Sequence, residues 1–368
     1  MGQLGTAWRR YKVIGRKMES EVVCSLNLAA DDGGPLPPFA AGQFLTFRLS
    51  GPDGRPVPRN YSLSSDPSDL SAYRISVKRE PPPPGRPDLP PGLGSGFMHD
   101  EVQIGTILQG SAPKGQFQLD EASQRPVLLL AGGIGITPLL AMVHVLARSS
   151  RRTYLIHACE NGRVQPFSGE VAELAARCPN LTVATCLREP GAQDHALAHP
   201  HFDGLVTADV LRSVLPIGNY DAYLCGPGGF MQAMYGLLLD LGVREEQIRY
   251  EFFGPSTVLK QRPADAPATR PAVMPRTEAP QARGAAISVT FSRSGISVPW
   301  NGSSRTLLDL AEANGLAPAF SCRNGICNTC LCEVEGEVAY IEEPLDEPGP
   351  GMALICCSVP KSPLVIGI

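Results

Sequence analysis

The sequence lacks an excess of basic charge. Its 32 Lys and Arg residues stand against 36 Asp and Glu, a formal net charge of −4, whereas a nucleic-acid-binding domain needs a basic face to meet phosphate. A disulfide framework is missing too, because 11 cysteines in 368 residues are too dilute for the small scaffolds that depend on one. No stretch reads as a transmembrane helix. Val127 to Ala147 is nearly free of charge and long enough to imitate one. Its middle, Gly132-Gly133-Ile134-Gly135-Ile136-Thr137-Pro138, would break a helix there. The N-terminal MGQLGTAWRR has no apolar core of signal-peptide length. Gly2 and Thr6 match a myristoylation pattern, but no second membrane signal accompanies them. These absences lead us to expect a soluble, cytoplasmic, monomeric protein with neither nucleic acid nor membrane as partner.

What is present is core material. Hydrophobic residues make up 43% of the chain, and its length fits two or three domains at about 150 residues each. Residues 1–120 hold short β-type runs between Gly/Pro turns, among them Gln43 to Leu49, Asn60 to Ser64 and Tyr73 to Lys78. They predict an antiparallel barrel, with Pro81 to Pro91 as a surface excursion. Residues 121–256 alternate apolar strands (VLLLAG, TYLIHAC, LTVATCL, DAYLCG) with helices predicted near 138–149, 168–177, 207–214 and 228–241. That alternation implies an α/β domain on a parallel sheet. Residues 257–286 are rich in Pro, Ala and Arg without periodicity, and read as a semi-extended linker. Residues 287–368 form a compact segment of short strands and one helix, and hold six of the cysteines.

Those cysteines carry the strongest signal. Cys322, Cys327 and Cys330 are spaced C-x4-C-x2-C and are followed by Cys356 and its neighbour Cys357, the plant-type spacing for a 2Fe–2S cluster. Three thiolates within nine residues wrap a cluster only if the backbone turns tightly, and Gly325 supplies that freedom. Zinc prefers paired C-x2-C knuckles, and only one such pair is present.

Four further elements point to nucleotides. Arg59-Asn60-Tyr61-Ser62 ends a strand with a cation for a phosphate, an aromatic ring and a hydroxyl. Gly94-Ser95-Gly96 precedes a short helix predicted at Phe97 to Glu101, whose N-terminus suits a pyrophosphate. The turns Gly133-Ile134-Gly135-Ile136-Thr137-Pro138 and Cys225-Gly226-Pro227 each leave a strand and open a helix, where ligands bind in open α/β sheets. Thr137 is placed to reach the nicotinamide side. Two features read as surface instead. His195, His199 and His201 have metal-like spacing but are interrupted by Pro200 and lack a fourth ligand. The seven carboxylates between Glu333 and Glu347 form a solvated face, or one that docks a basic acceptor.

In order and spacing, AGQFLTF, RNYSLSS, AGGIGITPLLAM, HACENGRVQPFSGEV, YLCGPGGFMQAM and YEFFGP resemble the ferredoxin–NADP reductase superfamily, and within it the reductase half of flavohemoglobins. The C-terminal segment resembles the plant-type ferredoxin domain at the C-terminus of phthalate dioxygenase reductase-like proteins. The resemblance implies a β-barrel flavin domain, a nicotinamide domain and a β-grasp-like ferredoxin domain. It places Phe252, Phe253, Gly254 and Pro255 at the flavin, with Glu251 beside the flavin–nicotinamide junction. Gly351-x-x-Leu354-x-Cys356 matches the context of the last ligand, which makes Cys356 that ligand. Asn328 stands where the family has Gly, and Asn tolerates left-handed backbone.

The implied activity is an NADH-dependent flavin/2Fe–2S reductase, with FAD expected over FMN. Its acceptor would be a Rieske-type terminal oxygenase; a cytochrome P450, another haem protein or a redox-sensing role is the alternative. Glu160, just past a strand, is placed to accept from an adenosine ribose 2′-hydroxyl and to repel a 2′-phosphate, and Arg163 opposes it. That repulsion is worth roughly a ten- to thirty-fold preference for NADH.

Overall fold

The computed structural model describes residues 8–50, 56–82, 91–192, 194, 201–253, 287–320, 323, 325, 328–341, 344 and 347–368. The linker, the N-terminal heptapeptide, most of the Pro81 to Pro91 run, His195 and His199 therefore lie outside the described residues. Contacts divide the chain into Met1–Phe253 and Gly254–Ile368. No helix among the described residues is long and apolar enough to cross a membrane.

The first unit opens with an antiparallel six-stranded sheet. Its strands are β1 (Arg9–Met18), β2 (Val23–Ala30), β3 (Phe44–Ser50), β4 (Pro56–Ser62), β5 (Tyr73–Lys78) and, after helix α1 (Leu93–Asp100), β6 (Ile107–Gly110). They run in the order β4-β3-β6-β1-β2-β5. A bridge between Leu63 and Ile75 brings the two ends together, as a barrel requires. Alternating inward residues fill it: Tyr11, Leu26, Leu45, Phe47, Tyr73 and Ile75 are fully buried, each worth about 1.5–3 kcal/mol of burial.

Helix α1 begins four residues earlier than the sequence pattern suggests, so Gly94-Ser95-Gly96 is its first turn rather than its approach. The reason is Ser95. Its hydroxyl donates to the Gly92 carbonyl at 3.0 Å and accepts from the Glu80 amide at 3.0 Å, which fastens the turn to the chain leaving β5.

The α/β half follows as β7 (Val127–Gly132), α2 (Ile136–Ala147), β8 (Thr153–Cys159), α3 (Ser168–Arg177), β9 (Leu181–Leu187), β10 (His201–Asp203), α4 (Ala208–Val214), β11 (Asp221–Gly226), α5 (Gly228–Asp240) and β12 (Ile248–Phe252). All six strands are parallel, in the order β10-β9-β8-β7-β11-β12. β7 and β11 are buried at every position, as strands covered by helices on both faces must be. The order reverses at β7, so the crevice at the carboxyl ends of β7 and β11 is the place where such sheets take ligands.

The second unit has β13 (Ile287–Phe291), β14 (Ile296–Trp300), α6 (Leu307–Ala313), β15 (Leu331–Glu335), β16 (Val338–Tyr340), β17 (Met352–Leu354), β18 (Ser358–Pro360) and β19 (Leu364–Ile366). Five strands form a mixed sheet, β14-β13-β19-β15-β17, and β16 pairs with β18. A capping box between Thr306 and Asp309 starts α6. Leu307, Leu308 and Ala311 of α6 bury against Phe291, Phe320 and Leu354.

Candidate functional site

The crevice is narrow because two backbones meet there. A Cβ at Gly135 would lie 2.1 Å from the Cys225 carbonyl oxygen and 2.7 Å from the Gly226 nitrogen. Only glycine lets the turn after β7 rest on the end of β11. Register places Cys225 opposite Glu251 and Gly226 opposite Phe252. Ser62, buried at the end of β4, points its hydroxyl at Glu251 Oε2 from 3.5 Å. Three chain segments from the two halves of this unit thus converge on one carboxyl group. Burial raises the Glu251 carboxyl to about 8, while the Ser62 hydroxyl pulls it down. Burial also pushes the Cys225 thiol up, and Glu251 adds to that. At neutral pH this floor therefore holds a protonated, uncharged carboxyl beside a neutral thiol.

On the barrel side, Arg59 and α1 come together. A Cβ at Gly94 would sit 2.9 Å from Arg59 Cγ and 3.1 Å from its Nε, while beside Gly96 nothing lies within 4 Å. The guanidinium side chain thus lies along the first turn of α1, whose leading amides have no intrahelical acceptor, and open space adjoins both. Tyr61 packs toward Phe47 with ring centroids 6.1 Å apart, and burial raises its hydroxyl's pKa. Asn60 accepts from the Thr46 hydroxyl at 2.8 Å. Ser95, engaged as described above, is a structural residue here.

On the nicotinamide side, Ile136, Thr137 and Pro138 are buried, so their side chains are core. The Thr137 hydroxyl donates to the Ile134 carbonyl at 3.0 Å and shapes the turn. Beside Gly133 nothing lies within 4 Å, and Pro227 is exposed at the rim. Phe252 stacks edgewise on Tyr250 at 5.6 Å, and Phe253 is 41% exposed. Gly254 and Pro255 lie outside the described residues. Open cradles at Gly96 and Gly133, flanked by Arg59 and the Gly135 turn, fit a flavin nucleotide and a pyridine dinucleotide.

The cysteine loop is described in part, with Cys322 and Cys327 outside the described residues. Arg323, Gly325 and Asn328 have φ of 53°, 67° and 56°, left-handed backbone that glycine and asparagine adopt most readily. The Gly325 amide donates to Cys356 Sγ at 3.3 Å. Cys357 Sγ instead donates to the Leu354 carbonyl at 3.5 Å. Cys330 and Cys356 are both buried, and buried thiols, one of them facing an amide donor, fit the sulfur-rich surface of an iron–sulfur cluster.

Residues 129–235 match the oxidoreductase NAD-binding domain family, and residues 289–361 match the 2Fe-2S iron-sulfur cluster binding domain family. The flavohemoglobin-like FAD/NAD binding domain of nitric oxide dioxygenase from Vibrio cholerae O1 biovar El Tor is 34% identical, with a TM-score of 0.59, over 67% of this chain and 98% of that one. The chain belongs to the ferredoxin–NADP reductase family. A flavohemoprotein from Bordetella pertussis is 38% identical over 252 residues, and the match spans 68% of this chain and 61% of the relative's length. Phthalate dioxygenase reductase, described as a modular structure for electron transfer from pyridine nucleotides to [2Fe-2S], aligns over 98% of both chains at 25% identity and a TM-score of 0.55. The chain therefore carries an oxidoreductase NAD-binding domain and a 2Fe-2S iron–sulfur cluster binding domain, and over nearly its whole length it is similar to phthalate dioxygenase reductase.

In this ferredoxin–NADP reductase family member, three arginines matter that sequence reasoning did not single out. Arg74 of β5 holds Glu170 of α3 through two bonds of 2.8 and 2.9 Å and lies over the Phe167 ring, tying barrel to sheet. Arg323 reaches Asp309 and Glu312 at 3.3 and 2.5 Å and anchors the cysteine loop to α6. Arg188 bonds Glu160 at 2.6 and 3.1 Å. Arg163, the expected rival of Glu160, is held by Glu21 at 2.7 and 3.0 Å. Each pairing depends on strand and helix adjacency that no local spacing reveals.

Proposed function

We propose that this chain is the reductase component of a Rieske-type oxygenase system, taking electrons from NADH through FAD and its 2Fe–2S cluster. The observation that carries this reading is the coexistence, in one chain, of the Ser62–Glu251–Cys225 floor and of buried Cys330 and Cys356, the latter with the Gly325 amide on its sulfur. The boundaries we propose are a flavin domain at 1–120, a nicotinamide domain at 121–256, a linker at 257–286 and a ferredoxin domain at 287–368. A bound flavin would supply the conversion of a two-electron hydride into single electrons, and a 2Fe–2S cluster a one-electron carrier.

The chain's own residues serve that chemistry by holding and shielding. Arg59 and the α1 amides would hold the flavin's phosphates, and the Tyr61 ring would line its ribityl region. Gly133 to Pro138 and Gly226-Pro227 would receive the nicotinamide half, with Phe252 and Phe253 beside the flavin. Glu251 accepts from the Ser62 hydroxyl at Oε2 and its carboxyl is held protonated at neutral pH by burial, so no carboxylate charge stands there. Cys322, Cys327, Cys330 and Cys356 would ligate the cluster, and the Gly325 amide lowers the charge on one sulfur. Glu333, Glu335, Glu337 and Glu347 are exposed, which favours an acceptor with a basic docking face. Glu342, Glu343 and Asp346 lie outside the described residues.

The test is turnover with purified acceptors. NADH-driven reduction of a Rieske oxygenase, faster than that of a cytochrome P450, is the expected result. Preferential reduction of the P450 would overturn the assignment of acceptor, and NADH oxidation without reduction of either would favour sensing over conduction.

A further inference from the structure

We propose that Arg74 is a positioning residue that fixes the Ser62 hydroxyl against Glu251 by tying the chain just past Ser62 to helices α2 and α3; this rests on the reading that flavin and nicotinamide meet in the crevice at Glu251. Two sets of bonds leave one guanidinium. On the barrel side, Arg74 Nη2 donates to the Ser64 carbonyl at 2.5 Å and Nε to the Ser64 hydroxyl at 3.2 Å. Ser64 stands two residues beyond Ser62, whose hydroxyl faces Glu251 Oε2 from 3.5 Å. On the sheet side, Nη1 and Nη2 fork onto the two carboxylate oxygens of Glu170 in α3, at 2.8 and 2.9 Å. Glu170 Oε1 also meets His144 Nε2 at 2.8 Å. His144 belongs to α2, the helix that opens from the Gly133–Gly135 turn. A continuous chain of side-chain bonds thus runs from the dinucleotide side, through Glu170 and Arg74, to the residues following Ser62.

The fork is built to stay closed. Burial pushes the Glu170 carboxyl up, but the hydrogen bonds from His144 and Arg74 bring it down to about 2, so it is charged wherever the protein works. The Phe167 ring lies 5.0 Å from the Arg74 guanidinium carbon and backs it. Other ties between barrel and sheet reach less close to Ser62. Arg148, at the end of α2, bonds Asp66 four residues past Ser62, and Arg163 bonds Glu21. Those ties, the shared apolar core and the bond from the Ser64 amide to the Arg74 carbonyl do not use the Arg74 side chain. Arg74, Glu170 and His144 also line an open cavity of about 260 Å³, so truncation there admits water instead of leaving a dry void. Removing the guanidinium should therefore loosen the Ser62 segment without unfolding the unit.

Misplacing reacting groups by about 1 Å costs on the order of a hundredfold in rate, so a positioning role shows in the rate of flavin reduction and not in binding. Anaerobic stopped-flow mixing of the flavin-loaded full chain with NADH separates the limiting rate of flavin bleaching from the NADH concentration at half that rate. Arg74→Ala should lower the limiting rate about tenfold and move half-saturation by less than about threefold. Glu170→Ala should do the same. The double variant should lie within about twofold of the slower single one, because the two side chains act in series. Arg74→Lys, a point charge that cannot span Ser64 and Glu170 together, should fall between Arg74→Ala and the parent. Amide hydrogen exchange of the same chains without NADH gives a readout apart from activity. Residues 63–66 should exchange about tenfold faster in both alanine variants, with β7 and β11 unchanged. The proposal is wrong if the limiting rate or the exchange at 63–66 stays within about twofold of the parent, or if the single losses multiply in the double variant. It is equally wrong if the loss falls on half-saturation, or if β7 and β11 loosen as much as 63–66. If NADH fails to bleach the flavin of the parent chain, the reading of the crevice falls, and the proposal with it.

Discussion

At the scale of the residue, Glu251 is the group whose chemistry depends most on its surroundings. Its carboxyl stands at about 8 because burial outweighs the Ser62 hydroxyl. In the unfolded chain the same group titrates near 4.5, so the folded state binds its proton more tightly. Stability from this site is whole below about pH 4.5 and is lost as pH rises through about 8. Glu251→Gln stays neutral at every pH. In urea titrations it should match the parent near pH 4.5 and exceed it by about 1–3 kcal/mol at pH 9, since solvent reaching the cleft screens part of the cost. A gap of equal size at both pH values would show that the carboxyl is not buried in its charged form.

Cys356 and Cys357 pose a second residue-scale question; we propose Cys356 as the ligand because its Sγ accepts from the Gly325 amide, whereas Cys357 Sγ donates to the Leu354 carbonyl. Cys356→Ser should abolish the cluster's visible absorption while flavin content and NADH oxidation persist; Cys357→Ser should retain the absorption. The reverse pattern would reassign the fourth ligand. The cysteine spacing is legible in sequence because Cys322, Cys327 and Cys330 fall within nine residues. The Arg188–Glu160 pair is not, because 28 residues separate partners that only strand pairing brings together.

Among elements, the α/β half follows its sequence pattern closely, because buried strands and glycine turns are local signals. Helix α3 spans the predicted 168–177, and α2 starts two residues before its prediction, at Ile136. The barrel was less legible. In β1 the register shifts between Val13 and Gly15, a bulge that breaks the two-residue alternation from which strands are read. β6 has only four residues, and Ile107 faces solvent. The Gly135 crossing joins the best-predicted elements, and its close approach yields a sharp expectation. Gly135→Ala puts a methyl 2.1 Å from the Cys225 carbonyl, so the turn or the strand must move. The variant should lose about 2–4 kcal/mol in urea unfolding and weaken NADH binding. An unchanged midpoint with normal NADH affinity would mean that the two backbones are not in contact.

For the molecule as a whole, the order of the parts is the functional statement: a flavin barrel, a nicotinamide sheet and a 2Fe–2S domain on one chain. The sequence showed this order because each part carries its own short motif, whereas the acceptor leaves no comparable mark. The central claim is that electrons entering as a hydride at the Glu251 floor leave through the cysteine loop one at a time. Anaerobic addition of NADH, followed by low-temperature electron paramagnetic resonance of the parent and of Cys356→Ser, tests it most directly. The account predicts a reduced 2Fe–2S signal in the parent and none in the variant, with the flavin absorption bleached in both. A bleached flavin beside a cluster that stays oxidised in the parent would contradict it.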